Sequence, residues 1–342
     1  MALYLLGLGL GSVRYLTFAV VEEIERCDEV YLDSYTGFIS RELMKRLKKL
    51  VGDRLIVASR RDLEDNLEEI VERARDREVA ILVQGDPLIA TTHISLIVEA
   101  VKRGVQFKIV HGVSAHSAAP SITGLQSYRF GKTTTLSREG DPREAYRIIQ
   151  DNIERGLHTL VLLDTSEGGL TIIEALKKLL DAEEDLGRGV VREDTLAVAL
   201  AGIGMDGEMV KAGSIRELIQ TDYPPPPHML VFPGELHFME AEALIRLYNV
   251  REELIKQHKL PRFEKDRTLR YILKTRQVLE SLKVEDVNDD VKRVIGLARS
   301  YLEDASRFWS SGEIYNALGS IAYAEGLLDC LRIIGKIDFE WP

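Results

Sequence analysis

Apolar residues in the first 110 positions follow two alternating patterns, short continuous runs and longer stretches in which they recur every three or four residues. The runs predict strands at Leu3–Leu8, Glu29–Leu32, Arg54–Val57, Val79–Val83 and Gln106–Val110. The stretches predict helices at Leu16–Arg26, Ser40–Leu50, Leu63–Arg77 and Thr92–Arg103. This alternation predicts an α/β domain over residues 1–111, with a parallel sheet and helices on both faces.

A polar break at His111–Ser114 precedes a second region of α/β character, which opens with a short helix up to Thr123. The pattern then predicts strands at Thr133–Leu136, Leu157–Leu163, Thr195–Ala201, Glu208–Ala212 and His228–Phe232, and helices at Arg143–Ile153, Leu170–Asp185 and Ser214–Gln220. Pro224–Pro227 must form an extended loop, because proline cannot donate to a β-ladder and excludes helix. This loop delivers His228 to the start of the last strand. We expect this second α/β domain to span residues 112–257.

The pattern changes beyond Asn249, where strand-type runs give way to helical spacing. Apolar stripes over residues 291–309 and 314–331 predict two helices, and Arg262–Leu282 predicts another. Helices of this length and order predict a small hairpin or a three-helix bundle. Residues 258–342 are therefore expected to form an all-α domain.

A polar decapeptide, Gln84–His93, directly follows the predicted buried strand Val79–Val83. It lies where a strand meets a helix, which is where open α/β sheets bind ligands. Gly85 allows a tight turn and the close approach of a ligand, and Asp86 offers acceptor oxygens. A simple strand-to-helix turn can also read Gly-Asp-Pro, so this motif alone leaves a purely structural role open.

Composition excludes several classes of function. The formal net charge of -10 argues against sequence-independent binding to nucleic acid or to an anionic membrane. Cys27 and Cys330 lie far apart, so neither a disulfide framework nor a zinc cluster is indicated. No apolar run approaches the length that spans a membrane, and we expect a soluble cytoplasmic protein.

Three familiar site motifs are disfavoured. Gly7–Gly11 follows the first strand, but its spacing is not the dinucleotide fingerprint and no helix opens directly after it. Ser114 and its neighbouring serines lack the nucleophile-elbow context of serine hydrolases. The seven histidines show no metal-binding spacing with a carboxylate, so no metal is expected.

The chain resembles the diphthine synthases, S-adenosyl-L-methionine-dependent methyltransferases of the tetrapyrrole methylase superfamily. The resemblance runs in register from residue 1 to about Leu254. It is carried by Tyr4–Leu10, Gly85–His93, Gly124-Leu125, Phe130–Lys132, Glu154–Leu160, Pro226–His228 and Pro233–His237. Thr91-Thr92-His93 distinguishes this branch from the corrin and porphyrin methylases, which share the Gly-Asp-Pro turn.

The resemblance implies two α/β domains of the tetrapyrrole methylase type with the cofactor in the cleft between them, and a homodimer. The cofactor would be S-adenosyl-L-methionine, leaving as S-adenosyl-L-homocysteine, with no metal. The substrate would be the aminocarboxypropyl-modified histidine of translation elongation factor 2, whose amine is methylated repeatedly. Residue by residue, the resemblance implies cofactor contacts at Leu10, Asp86, Ile89, Ser114, Ala115, Leu163, Ile203 and His228. It identifies no catalytic side chain, and Asp86 and His228 are expected to anchor the cofactor.

Two other functions compete with this one. A methyltransferase for a corrin or porphyrin precursor would share the fold and the cofactor. A non-catalytic scaffold would bind the cofactor and recruit a translation partner through the C-terminal helices. Those helices have no counterpart in the usual family member and resemble a small archaeal helical domain of unknown function. We expect them to be dispensable for methyl transfer and to serve dimerisation or partner contact.

Overall fold

The computed structural model of the protein describes residues 1–261, 263–282 and 288–341. The chain divides into two compact units, Met1–Pro261 and Arg262–Pro342. The first unit contains two five-stranded sheets, and the second is helical. The division of the first unit into domains at residues 111 and 112, and the start of the helical domain at residue 258, stay predictions.

The first sheet is parallel throughout, as the alternating pattern predicts. Its strands are β1 (Ala2–Gly7), β2 (Glu29–Asp33), β3 (Leu55–Ala58), β4 (Val79–Val83) and β5 (Gln106–Val110), in the order β3-β2-β4-β1-β5. Helices α1 (Phe18–Arg26), α2 (Arg41–Val51), α3 (Leu67–Arg73) and α4 (Ile94–Lys102) connect them. Successive β4 residues face different cores, Ile81 one and Leu82 the other, so the sheet is buried on both faces.

The predicted helix Leu63–Arg77 is wrong at both ends. A π-helical segment, Arg61–Asp65, comes first, and α3 begins only at Leu67. The N–H of Asn66 donates to the carbonyl of Arg61 at 2.9 Å, which closes a turn one residue wider than that of an α-helix. The apolar spacing therefore loses its α-helical phase at this point.

The second sheet is mixed. Its strands are β6 (Thr134–Leu136), β7 (Thr159–Leu163), β8 (Leu196–Ala201), β9 (Met209–Ser214) and β10 (His228–Phe232), in the order β6-β7-β10-β8-β9. Its helices are α5 (Ala115–Thr123), α6 (Pro142–Glu154), α7 (Ile172–Leu186), α8 (Ile215–Ile219), α9 (Phe238–Tyr248) and α10 (Glu252–Gln257). β10 is antiparallel to both β7 and β8, so it starts at the edge where they end. Helix α9 is not among the predicted elements, although His237 and Glu240 form a capping box at its start.

The second unit is all-helical, as predicted. It contains α11 (Phe263–Ser281), α12 (Asp289–Ser311) and α13 (Ile314–Ile333), and the predicted first residue of α11, Arg262, lies outside the described residues. Its core is formed by apolar residues of all three helices, including Ile272, Ile295 and Leu328. Within the described residues, no helix has the length and apolar character that crossing a membrane requires.

Candidate active site

A cleft of about 650 Å³ opens in the first unit and is lined by residues of both sheets. This volume is in the range of sites for cofactor-sized ligands. All eight residues predicted as cofactor contacts line it: Leu10, Asp86, Ile89, Ser114, Ala115, Leu163, Ile203 and His228. They come together because each lies at or just after the carboxyl end of a strand, except His228, which begins the antiparallel β10. Their role in binding a cofactor stays a prediction.

Backbone rather than side chains forms part of the cleft where β1, β4 and β5 end. The N–H of Gly85 donates to the carbonyl of Gly9 at 2.7 Å, and Gly85 adopts φ +75°. A Cβ atom on Gly112 would lie 2.2 Å from the carbonyl oxygen of Gly85. Only glycine allows these strand ends to approach so closely, and Gly9 and Gly85 bring backbone rather than a side chain to the cleft.

The Asp86 side chain is buried, and its carboxylate is fixed by contacts within the protein. Its Oδ1 accepts a hydrogen bond from the N–H of Leu88 at 3.1 Å, and His111 Nδ1 lies 2.7 Å from its Oδ2. The sequence did not reveal His111 as a partner, because it belongs to the loop after another strand. Asp86 therefore both shapes the turn and presents a carboxylate at the cleft.

His228 is a loop anchor as well as a cleft residue. Its Nδ1 accepts a hydrogen bond from the N–H of Ile172 at 3.2 Å, and its Nε2–H donates to the carbonyl of Pro224 at 2.7 Å. Burial lowers the pKa of the His228 imidazole, and the Pro224 carbonyl opposes this only in part. Both ring nitrogens are thus used internally, so the ring offers a ligand packing rather than a hydrogen bond.

Two charged cleft residues escaped the sequence analysis. Arg60 follows the end of β3, and Asp164 follows the end of β7. Among the described residues that line the cleft, Arg60 is the only lysine or arginine. Both residues closely follow a strand at the carboxyl edge of its sheet, and this position in the sequence is the signal that identifies them.

A buried acceptor at the cleft fits a ligand that carries hydrogen-bond donors. Gln84 Oε1 is buried and accepts no hydrogen bond from the described residues. Ile89, Ala115 and Leu163 supply apolar surface in the same cleft. S-adenosyl-L-methionine carries hydrogen-bond donors, on its adenine, its ribose and its ammonium group, beside the apolar face of the adenine ring, so the residues present fit this group. No group of three or more His, Cys, Asp or Glu side chains in the described ranges is arranged to hold a metal ion.

Comparison with known proteins matches two parts of the chain to families. Residues 2–219 match the family Tetrapyrrole (Corrin/Porphyrin) Methylases. Residues 270–337 match a family described as a protein of unknown function, DUF357. The first match covers most of the unit that contains the cleft, and the second lies in the helical unit.

Individual relatives identify one branch within the first of these two families. A diphthine synthase of Methanocaldococcus jannaschii is 37% identical over 250 residues, which are 71% of this chain and 97% of the relative. One of Methanothermobacter thermautotrophicus is 38% identical over 72% of this chain and 95% of the relative. A crystal structure of a diphthine synthase superposes with a TM-score of 0.69 at 33% identity, over 75% of this chain and 99% of that one.

Proposed function

The chain belongs to the tetrapyrrole methylase family, in its diphthine synthase branch, and from this we propose the reaction that it catalyses. It methylates the amine of an aminocarboxypropyl-modified histidine in translation elongation factor 2, with S-adenosyl-L-methionine as the methyl donor. The observation that carries the proposal is the match to diphthine synthases over nearly their whole length.

The eight cleft residues support the cofactor part of the proposal. Gln84 Oε1 would accept a hydrogen bond from the cofactor, and the peptide groups around Gly85 would lie against it. Ile89, Leu163 and Ile203 would cover its apolar parts and exclude water. When bound, the cofactor supplies an electrophilic methyl group on a positively charged sulfur.

The protein's contribution is chiefly to position and desolvate the reacting groups, because an unprotonated amine needs no further activation. The amine must lose a proton before each transfer, and water at the mouth of the cleft is a sufficient acceptor. We assign no side chain as a dedicated base. Asp86 and His228 act as anchors in this scheme, Asp86 through its carboxylate and His228 through the loop that it fixes.

We also propose a homodimer in the cytoplasm, with elongation factor 2 as the protein partner. Support for a protein interface comes from the edge strand β5 and the neighbouring α4. Ile94, Val98 and Val101 of α4 and Phe107 of β5 are largely exposed, which is unusual for so many apolar side chains on adjacent elements. Light scattering on the purified protein measures the oligomeric state directly.

The competing functions are less well supported. A corrin or porphyrin precursor as methyl acceptor is consistent with the family, but the relatives aligned over nearly their whole length are diphthine synthases. A non-catalytic scaffold would keep the same eight cleft residues, but the aligned relatives are synthases, which favours an enzyme.

The test is methyl transfer from labelled S-adenosyl-L-methionine to an archaeal elongation factor 2 that already carries the aminocarboxypropyl group. Mass spectrometry of the modified peptide counts the methyl groups. The matched control is the same factor with an unmodified histidine, which should take up no label. Absence of label from the modified factor, with cofactor binding intact, would contradict the proposed substrate.

A further inference from the structure

Arg60 presents a positive charge at the cleft. Its side chain is 73% exposed and lies 3.7 Å from Glu64 Oε1, a separation longer than a hydrogen-bonded ion pair. The guanidinium carbon lies 5.2 Å from the centre of the Tyr35 ring, so the guanidinium is stacked on this ring. Glu64 Oε1 instead accepts hydrogen bonds from two other donors, the hydroxyls of Tyr35 and Thr92. Arg60 is thus oriented but retains donors for a ligand.

Asp164 presents a negative charge at the same cleft. Burial alone would raise the pKa of its carboxyl, but hydrogen bonds from the N–H groups of Ser166 and Arg138 and the charge of Arg138 lower it. Those bonds measure 2.9 Å to Oδ1 and 3.1 Å to Oδ2. A carboxylate can accept about four hydrogen bonds, so not all of its acceptor positions are used. Asp164 is therefore a fixed anion at neutral pH that can accept further hydrogen bonds.

Tyr35 links the two charged positions. Its ring lies under the Arg60 guanidinium, and its carbonyl accepts a hydrogen bond at 3.2 Å from Thr165, the residue after Asp164. Arg60 comes from the first sheet and Asp164 from the second. Tyr35 therefore connects loops of both sheets on one side of the cleft, with Arg60 stacked on its ring and Asp164 one residue before its hydrogen-bond partner Thr165.

We propose that Arg60 and Asp164 recognise the two charged groups of the substrate, Arg60 the carboxylate of the aminocarboxypropyl chain and Asp164 its amine. This inference rests on the proposed function, because it assigns residues to that substrate. A planar guanidinium matches a carboxylate with two parallel hydrogen bonds. A fixed carboxylate stabilises the positive charge that develops on the nitrogen as it is methylated, and then attracts the methylated ammonium.

The pair would also select the substrate. An unmodified histidine lacks both groups, so it would make neither the contact with Arg60 nor the contact with Asp164. A site built for polar groups discriminates strongly against ligands that lack them. A corrin precursor would present carboxylates but no primary amine, and would not make the contact with Asp164.

The test uses the full chain and three short peptides from the elongation factor that differ only in the group on the histidine. The first carries the 3-amino-3-carboxypropyl group, the second a 3-aminopropyl group and the third a 3-carboxypropyl group. Binding is measured by calorimetry with S-adenosyl-L-homocysteine present, so that no turnover occurs. We expect the unsubstituted chain to bind the first peptide about tenfold more tightly than either of the others, the effect of one charged hydrogen bond.

A variant of either residue should lose the contact with one of the two charged groups of the substrate. R60Q is expected to weaken binding of the first and third peptides about tenfold and to leave the second unchanged. R60K should recover part of the loss, because it restores the charge but not the planar donors. D164N should weaken the first and second peptides and leave the third unchanged. Cofactor affinity is expected to stay the same in R60Q, which separates substrate recognition from the cofactor site.

Arg61→Gln and Asp181→Asn are the matched controls, since both residues are exposed and neither lines the cleft. They should bind all three peptides like the unsubstituted chain. If R60Q bound the first peptide with unchanged affinity, or bound all three peptides more weakly by the same factor, the inference would be overturned while the proposed function stood. Melting curves check that D164N is folded, and R60Q tests the inference independently. Failure of the unsubstituted chain to bind the first peptide would overturn the inference, and the methyl-transfer assay on the whole factor decides the proposed function separately.

Discussion

The Nε2 atom of His93 lies 2.9 Å from Oδ2 of Asp33, and neither side chain is exposed to solvent. Asp33 also accepts hydrogen bonds from the N–H groups of Tyr35 and Thr36, at 2.9 and 3.1 Å, and from the Thr36 hydroxyl. His93 ends the turn after β4, and Asp33 ends β2. The pair therefore joins two loops that line the cleft and holds Tyr35 in place.

Removal of the histidine should destabilise the protein and loosen this edge of the cleft. His93→Ala leaves a buried carboxylate with one partner fewer, and we expect the free energy of unfolding to fall by about 2–4 kcal/mol. Urea denaturation measures the change. The control is His116→Ala, because His116 is exposed and its bond to Thr133 lies at the surface. Equal stability of H93A and the unsubstituted chain would contradict a structural role for the pair.

The same pair predicts an acid dependence of stability. Burial would raise the pKa of Asp33, but hydrogen bonds from His93, Thr36 and Tyr35 outweigh it and lower the pKa. A carboxyl whose pKa is lowered on folding stabilises the protein above its unfolded pKa of about 3.9 and loses this contribution as the pH falls through the folded value. The stability difference between the unsubstituted chain and Asp33→Asn should therefore be largest near neutral pH and shrink below about pH 4. A difference that does not depend on pH would show that the charge of Asp33 is unimportant.

Buried histidines predict a second pH effect. The N–H of Gly234 donates to His158 Nδ1 at 2.8 Å, and His158 Nε2 lies 3.0 Å from Glu240 Oε1, so the ring is neutral with its proton on Nε2. Burial lowers the pKa of His158 despite the nearby Glu240. Its folded pKa lies below the unfolded value of about 6.5, so protonation favours unfolding and stability should fall as the pH drops below about 6.5.

Melting temperatures between about pH 5 and pH 8 test this dependence. His158→Gln should reduce the overall stability and flatten the pH dependence, since one titrating group is gone. Burial also lowers the pKa of the buried His228 and of the half-buried His258, so these two residues should preserve part of the slope. An unchanged slope in H158Q would exclude His158 as a contributor.

Asp86→Ala should weaken S-adenosyl-L-methionine binding by about 1.5–3 kcal/mol, the typical value of a hydrogen bond to a charged group. Calorimetry measures the affinity, and a melting curve verifies the fold. His111→Asn is the companion variant, because it removes the imidazole partner and leaves the carboxylate at the cleft. We expect it to reduce the affinity less than D86A does. Unchanged affinity in folded D86A would remove Asp86 from the cofactor site.

A chain truncated after Pro261 should fold and retain full methyl transfer. This position is preferable to one after Gln257, because the Nε2–H of His258 donates to the carbonyl of Gly234 at 2.8 Å and belongs to the first unit. The two truncations form a matched pair, and the one after Gln257 should melt at a lower temperature. Loss of activity in a folded chain of residues 1–261 would give the helical unit a part in the reaction.

The sequence by itself determined the two α/β regions and the helical C-terminal region, and its resemblance to the diphthine synthases identified the eight cleft residues. Strand and helix periodicities are local properties, and residues after parallel strands gather at one edge whatever the details of packing. Asp86 could therefore be placed at this edge before any coordinates were known. The ends of the helices and strands were predicted less accurately, as the π-helical turn at Arg61–Asp65 demonstrates.

Only the tertiary structure decided which side chains meet. Asp33 and His93 are 60 residues apart in sequence, and Asp86 and His111 are 25 apart. Arg60, Tyr35 and Asp164 come from three different loops on two sheets. No local pattern specifies such pairs, because their distances follow from the order of the strands and from the path of each loop. That order is fixed by the packing of the whole unit, in which most buried polar groups find a partner.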